Sequence, residues 1–372
     1  MGFGCIAKYL ALIVAGIAVS IGFIGKYAPA LFLKVDNGFI LWAMTGNPMP
    51  PYFSADPWVN DEHLSWLKSG DLVVSVAAKA GTTWMLYVSH LIRTKGDTEK
   101  YPFRDVNYAT PHIECVNSPG KSWAEEKDLW NTTVLEDGTP LKQLWDHEDY
   151  PYRVFKSHFS PDTDGGVIPV KARRDVKFLA MTRNGLDMVA SLIPFFDAHS
   201  EQFRKMWGGF PPVSSGTYEE DANARFNDLL PGGMFEDFFF GYNVKWWKAR
   251  HEPNVLFLHY SDAKKDLRGH VRKIAKFLEV ELTEAELDVI VEKASFASMK
   301  AQSHMFLYSL PLNPAYDGTA MKPGGLTRKG AIGEGQQVFS DEQKREWAEV
   351  EERIFSEFPG LLEFARNGGD YY

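Results

Sequence analysis

The stretch that most limits the fold is a continuous apolar run, Leu72-Val73-Val74-Ser75-Val76, leading directly into Ala77-Ala78-Lys79-Ala80-Gly81-Thr82-Thr83-Trp84. Apolar residues at Met85, Val88 and Ile92 follow at helical spacing. A strand that is apolar without alternation needs cover on both faces, which a parallel sheet between helices supplies. The strand, the small-residue turn and the helix start together form an anion cradle. Main-chain N–H groups point outward there, the helix dipole favours negative charge, and Gly81 lets the backbone come close. Thr82 and Thr83 add hydroxyl donors, and Lys79 adds a full charge. A Walker A loop needs an early glycine and a lysine after the last one, whereas here Lys79 precedes Gly81.

The strand-then-helix pattern recurs. Val176 to Met181 precedes Leu186, Val189 and Ile193, and Val255 to Leu258 precedes Leu267, Val271, Ile274 and Leu278. Arg153-Val154-Phe155 reads as a further short strand. The expected class is α/β, with a central parallel sheet, helices on both faces and a P-loop-like phosphate-binding turn. Capping boxes at Thr283 with Glu286 and at Ser340 with Gln343 mark two further helix starts. Pro102 to Tyr150 lacks periodicity and reads as a long irregular excursion near the site. With 26 Phe, 15 Tyr and 11 Trp, a sizeable core is easily built. The net charge of −9 argues against nucleic acid or a highly charged polysaccharide as partner. Cys5 and Cys115, the only cysteines, leave no disulfide framework and no Cys-based zinc site. No metal is expected.

The N-terminus stands apart. Tyr9 to Gly25 is an uncharged stretch of 17 residues between Lys8 and Lys26, at the short limit for a membrane-spanning helix. An anchor and a cleaved signal peptide both fit, and the poor cleavage sites at Ala18-Val19-Ser20 and Ala28-Pro29-Ala30 favour the uncleaved anchor. Gly46 to Pro57 is rich in Pro and Gly. The chain thus divides into an anchor or signal segment with its linker, residues 1–57, and a domain over 58–372. Membrane association through residues 9–25, with the ER or Golgi as candidate compartments, is the expectation.

Lys-x-Gly-Thr-Thr-Trp, at Lys79 to Trp84, resembles the 5′-phosphosulfate-binding loop of the cytosolic sulfotransferases, with Ala77-Ala78 where that family has Tyr-Pro. Three later segments resemble the family in its own order. Phe155-Lys156-Ser157-His158 is similar to a Lys-Thr-His at a strand end. Thr182-Arg183-Asn184-Gly185 through Ser191 is similar to its 3′-phosphate site. Arg328-Lys329-Gly330 with Gly333 is similar to its Arg-Lys-Gly-x-x-Gly loop, although Glu334-Gly335-Gln336 replaces Asp-Trp-Lys. The likeness spans about Trp58 to Phe358.

The resemblance implies 3′-phosphoadenosine 5′-phosphosulfate (PAPS) as co-substrate, without a metal, and sulfuryl transfer to a hydroxyl of a small acceptor. It assigns His158 as general base, with Lys79 and Lys156 stabilising the group in flight. Lys79, Ala80, Gly81, Thr82 and Thr83 hold the 5′-phosphosulfate. Arg183, Ser191, Arg328 and Gly330 hold the 3′-phosphate, and Lys329 belongs to the same loop, which closes over the nucleotide. Trp84, Tyr260, Ser295 and Phe296 surround the adenine, and Ala294 stands where the family often has Thr. Phe195-Phe196, Phe203, Trp207, Phe210 and Phe238-Phe239-Phe240 read mostly as core, and any that line a cavity point to an apolar acceptor such as a sterol or phenol. Other readings stay open: an inactive nucleotide- or lipid-binding relative, a P-loop nucleotide kinase, and a secretory-pathway carbohydrate sulfotransferase, which the sequon Asn131-Thr132-Thr133 would suit. Oligomeric state is undetermined.

Overall fold

Four strands form one sheet in the order β2-β1-β3-β4, with β1 at Leu72–Val76, β2 at Val154–Ser157, β3 at Lys177–Thr182 and β4 at Val255–His259. All three pairings are parallel, with Leu72 opposite Val154 and Lys177, and Phe178 opposite Val255. The computed structural model describes residues 52–370, apart from 118, 164, 208, 212–215, 234 and 311–318. The apolar run Tyr9 to Gly25 lies outside the described residues, as does the first half of the proline-rich linker, residues 46–51. Among the described residues no helix is long and apolar enough to cross a membrane.

Every residue of β1 and of β4 is buried. Successive strand side chains point to opposite faces, so both faces of the sheet are covered, as the apolar runs require. The strand positions read from sequence hold to within two residues. β2 differs most usefully: it runs on to include Lys156 and Ser157, while Arg153 sits before it in a buried ion pair with Asp71. The capping boxes at Thr283 and Ser340 open the helices Glu284–Lys293 and Asp341–Phe355.

The excursion from Pro102 to Tyr150 is more ordered than expected. It carries the helices Val106–Ala109, Trp123–Thr132 and Lys142–Trp145. The second opens on a capping box, Ser122 with Glu125, and buries only two of its residues, Glu126 and Trp130. Its most consequential part touches the sheet. The main-chain N–H of Lys156 donates to the Pro111 carbonyl at 2.9 Å and His112 bridges to Lys156, after which a turn, closed by the Cys115 N–H on the His112 carbonyl, carries Glu114 to the end of β2.

Because all four strands are parallel, their C-terminal ends share one edge, where open α/β sheets place their ligands. The residue that follows each end is a candidate site residue or leads straight into one: Ala77 before the Lys79 turn, His158, Arg183 and Tyr260. The turn after β1 is held in an unusual backbone form. Lys79 has φ 60° and Gly81 has φ 103°, the latter as N-cap of the helix Thr82–Arg93. A Cβ at Gly81 would stand 2.8 Å from Met181 Cε and 3.0 Å from Tyr260 Cδ2. Gly81→Ala therefore meets both a dihedral penalty and a clash. It is expected to lower stability by roughly 2 kcal/mol in denaturant unfolding. A variant as stable as the parent would show that the turn does not need glycine.

Candidate active site

A cavity of about 400 Å³ opens at the C-terminal edge of the sheet and has two chemically different ends. One is lined by Lys79, Gly81, Thr82, Thr83, Trp84, Arg183, Ser191, Tyr260, Ser295, Phe296, Arg328, Lys329 and Gly330. The other carries Tyr52, Phe53, Phe195, Phe196, Phe203, Phe235 and Phe238. Lys156 and His158 line the same cavity. Of the binding residues read from sequence, only Ala80 is missing from the wall. It is fully buried beneath the turn, and its N–H is spent on the Ala77 carbonyl at 3.0 Å.

His158 follows β2, and its ring Nδ1 lies 2.8 Å from the Val76 carbonyl oxygen at the end of the neighbouring strand. A carbonyl only accepts, so Nδ1 carries the hydrogen and Nε2 is left with a lone pair. Burial first, then Lys156 and Lys79, push the imidazole down to about 3, against the opposing Val76 bond. The ring is thus neutral throughout the ordinary pH range, in the form that accepts a proton. The His158 main-chain N–H donates to Glu114 Oε2 at 3.0 Å, and Glu114 Oε1 accepts from Trp58 Nε1 at 2.7 Å and from the Ser157 hydroxyl. Glu114 therefore fixes the strand end from which His158 projects.

The cations are crowded. Burial, then Arg183, Arg328 and Lys156, pushes Lys79 down to about 7, and its Nζ stands 4.0 Å above the Phe195 ring. Burial pushes Lys156 down to about 8, with Cys115 and Glu114 opposing, and its Nζ lies 4.6 Å from the centre of the Tyr308 ring. Arg183 ties the turn after β1 to the loop that follows Gly330: Nη1 donates to the Lys79 carbonyl at 3.3 Å and Nη2 to the Ala331 carbonyl at 2.8 Å. Charges of one sign held this close, and shifted in this way, mark a site built for an anion.

Three aromatic rings, Trp84, Tyr260 and Phe296, line the cavity with these cations. Trp84 is oriented by a 2.9 Å hydrogen bond from Nε1 to the Ala294 carbonyl and meets Tyr260 edge-on at 5.6 Å. Gly330 lies so close to Phe296 that a Cβ there would come within 2.5 Å of Cδ2. Ser295 caps the helix Phe296–Ala301, its Oγ accepting from Ser298 N at 3.2 Å. Trp207, Phe239 and Phe240 are core, as the sequence suggested, whereas Phe195, Phe196, Phe203 and Phe238 reach the cavity.

Sequence reasoning missed His112, Glu114, Tyr308 and His199. His112 Nδ1 is 2.6 Å from the Tyr308 hydroxyl, and its ring centre is 5.3 Å from that of His158. His199 Nδ1 donates to the Phe195 carbonyl at 3.0 Å, an acceptor near Pro194, which lies inside the helix Gly185–Asp197 and supplies no N–H. No local pattern announced the first three, which come from segments without periodicity. Among the described residues no group of three or more His, Cys, Asp or Glu side chains could hold a metal ion.

Comparison with known proteins agrees with this geometry. The model of the sulfotransferase domain matches residues 69–359. Human sulfotransferase 1C2 is 26% identical over 286 residues, 77% of this chain and 83% of that protein. Mouse sulfotransferase 2A6 is 28% identical over 320 residues, 85% of this chain and 96% of that protein. A solved structure of retinol dehydratase, in a complex with retinol and PAP, superposes with a TM-score of 0.56 at 18% identity. It covers 79% of this chain and 83% of that one, a likeness of fold. With the domain model spanning most of its length, the chain belongs to the sulfotransferase family.

Proposed function

We propose that the chain moves the sulfuryl group of PAPS onto the hydroxyl of a small apolar alcohol or phenol, with His158 as general base. The observation that carries the reading is the meeting of Lys79 and Lys156 with a neutral His158 whose Nδ1 is already committed to Val76. The PAP and retinol bound by a protein of similar fold support a 3′-phosphorylated nucleotide and an apolar acceptor here.

In this reading the 5′-phosphosulfate sits on the turn, held by Gly81 and by the hydroxyls and amides of Thr82 and Thr83. The 3′-phosphate falls to Arg183, Ser191, Arg328 and Gly330, with Lys329 at the rim, and the adenine to Trp84, Tyr260, Ser295 and Phe296. The acceptor lies among Phe53, Phe195, Phe196 and Phe238, its hydroxyl directed at His158 Nε2. As the acceptor oxygen attacks sulfur, His158 takes its proton. Lys79 and Lys156 neutralise the charge growing on the transferred group and on the bridging oxygen that leaves with the 5′-phosphate. Positioning and fixed charge do most of the work, as in phosphoryl transfer. The uncharged run Tyr9 to Gly25 supports membrane association as part of the same proposal, with the ER or Golgi as the compartment.

Two outcomes test this. His158→Ala should bind PAP as the parent does and lose about 10²–10⁴-fold in turnover, the range of a general base. Retained turnover would remove His158 from its role. The lysine shifts predict a second signature, with a fixed sign. With Lys79 lowered to about 7 and Lys156 to about 8, both are largely unprotonated by pH 9, and an adjacent anion raises both. PAP binding should therefore take up protons at pH 8–9 and weaken as pH rises through that window. Calorimetry in buffers of different ionisation enthalpy reads the uptake directly. Proton release, or none, would contradict the assignment of these lysines.

A further inference from the structure

The loop that carries Arg328, Lys329 and Gly330 also carries an acid turned back on them. Glu334 lines the cavity and is 8% exposed. Its Oε2 lies 2.5 Å from Arg328 Nη2, and its Oε1 lies 2.8 Å from Lys329 Nζ. Burial pushes this carboxyl up, but the hydrogen bonds from Arg328 and Lys329 outweigh it and hold it below the usual range, so it is charged at neutral pH.

The main chain is built to deliver it there. Asp187, near the start of the helix Gly185–Asp197, accepts from the N–H groups of Gly333 and Gly335, each at 2.8 Å. Gly335 lies flush on that helix: a Cβ there would stand 2.5 Å from the Leu186 carbonyl carbon. A larger residue would lift Glu334 off the helix and away from its partners.

We propose that Glu334 is a specificity-determining carboxylate that competes with the 3′-phosphate of the nucleotide for Arg328 and Lys329. It rests on the assignment of that phosphate made under the proposed function. A carboxylate and a phosphate present the same chemistry to a guanidinium, anionic oxygens accepting charge-assisted hydrogen bonds. The phosphate monoester carries about −1.5 to −2 near pH 7 against one unit for Glu334, so it displaces the side chain. That displacement costs binding free energy, and Glu334 returns to its partners when the product leaves. A nucleotide lacking the 3′-phosphate does not meet this competition. Glu334 thus loosens the grip on 3′-phosphorylated nucleotides alone and hastens their release.

The test uses the full chain and its Glu334→Gln and Glu334→Ala variants, each checked by thermal melting, with PAP and AMP titrated calorimetrically and PAP release followed by stopped-flow displacement. Glu334→Gln is expected to bind PAP about tenfold more tightly, the scale of one charge-assisted hydrogen bond, with release slowed to match and AMP affinity unchanged. Glu334→Ala repeats the comparison without a polar head group and should move PAP the same way. Unchanged or weaker PAP binding in both variants would overturn the proposal, showing that Glu334 orients the basic pair. Equal tightening of PAP and AMP would overturn it too, as a general effect of charge. If the parent protein itself fails to prefer PAP to AMP, the 3′-phosphate assignment falls first, and this inference with it.

Discussion

Holding several cations together in a half-buried cavity is unfavourable, and the site is organised around that strain. Lys79, Lys156, Arg183 and Arg328 line one cavity where the sheet ends; burial depresses both lysines, and the neighbouring cations lower Lys79 further. A multiply charged anion relieves like charges that Asp187 beside Arg183 and Glu334 beside Arg328 meet only in part. The turn after β1, the Arg183 bridge between Lys79 and Ala331, and the glycine-rich loop ending at Glu334 all serve to bring cations to one place.

Burial and the same crowding set the chemistry of His158. Burial first, then the two lysines, keeps its ring neutral in the ordinary pH range, and the Val76 carbonyl decides which nitrogen carries the hydrogen. An anion among the lysines lifts part of that suppression just when a base is wanted. In the proposed reading, donor binding and base strength are in this way coupled through charge. Glu114 contributes from beneath by accepting from the Ser157 hydroxyl and the His158 main chain, and Trp58 ties it to the start of the domain.

Much of this was legible in the sequence, for physical reasons. Strands buried on both faces cannot alternate, so Leu72 to Val76 and Val255 to Leu258 stood out as apolar runs. The phosphate turn was legible because an anion cradle needs a fixed order of small, hydroxyl and basic residues, and that order is local. Ala80 was included with its neighbours because sequence adjacency does not reveal which N–H is already spent on Ala77. The partners that arrive through space were invisible. His112 and Glu114 come from a stretch with no periodicity that docks beside β2. Asp187 reaches Gly333 and Gly335 across almost 150 positions of chain, 146 and 148 apart. Gly335 stands where the family has Trp, and in the fold it permits close contact with Leu186.

The central claim is that this cationic cavity handles a sulfuryl donor and not a nucleoside triphosphate. The direct measurement is group transfer by the full-length chain, offered radiolabelled PAPS or γ-labelled ATP together with a panel of sterols, simple phenols and sugars. The account predicts labelled sulfate esters of the apolar alcohols or phenols from PAPS, and no labelled product from ATP. Phosphate transferred from ATP, or a chain that passes sulfate only to sugars, would contradict it.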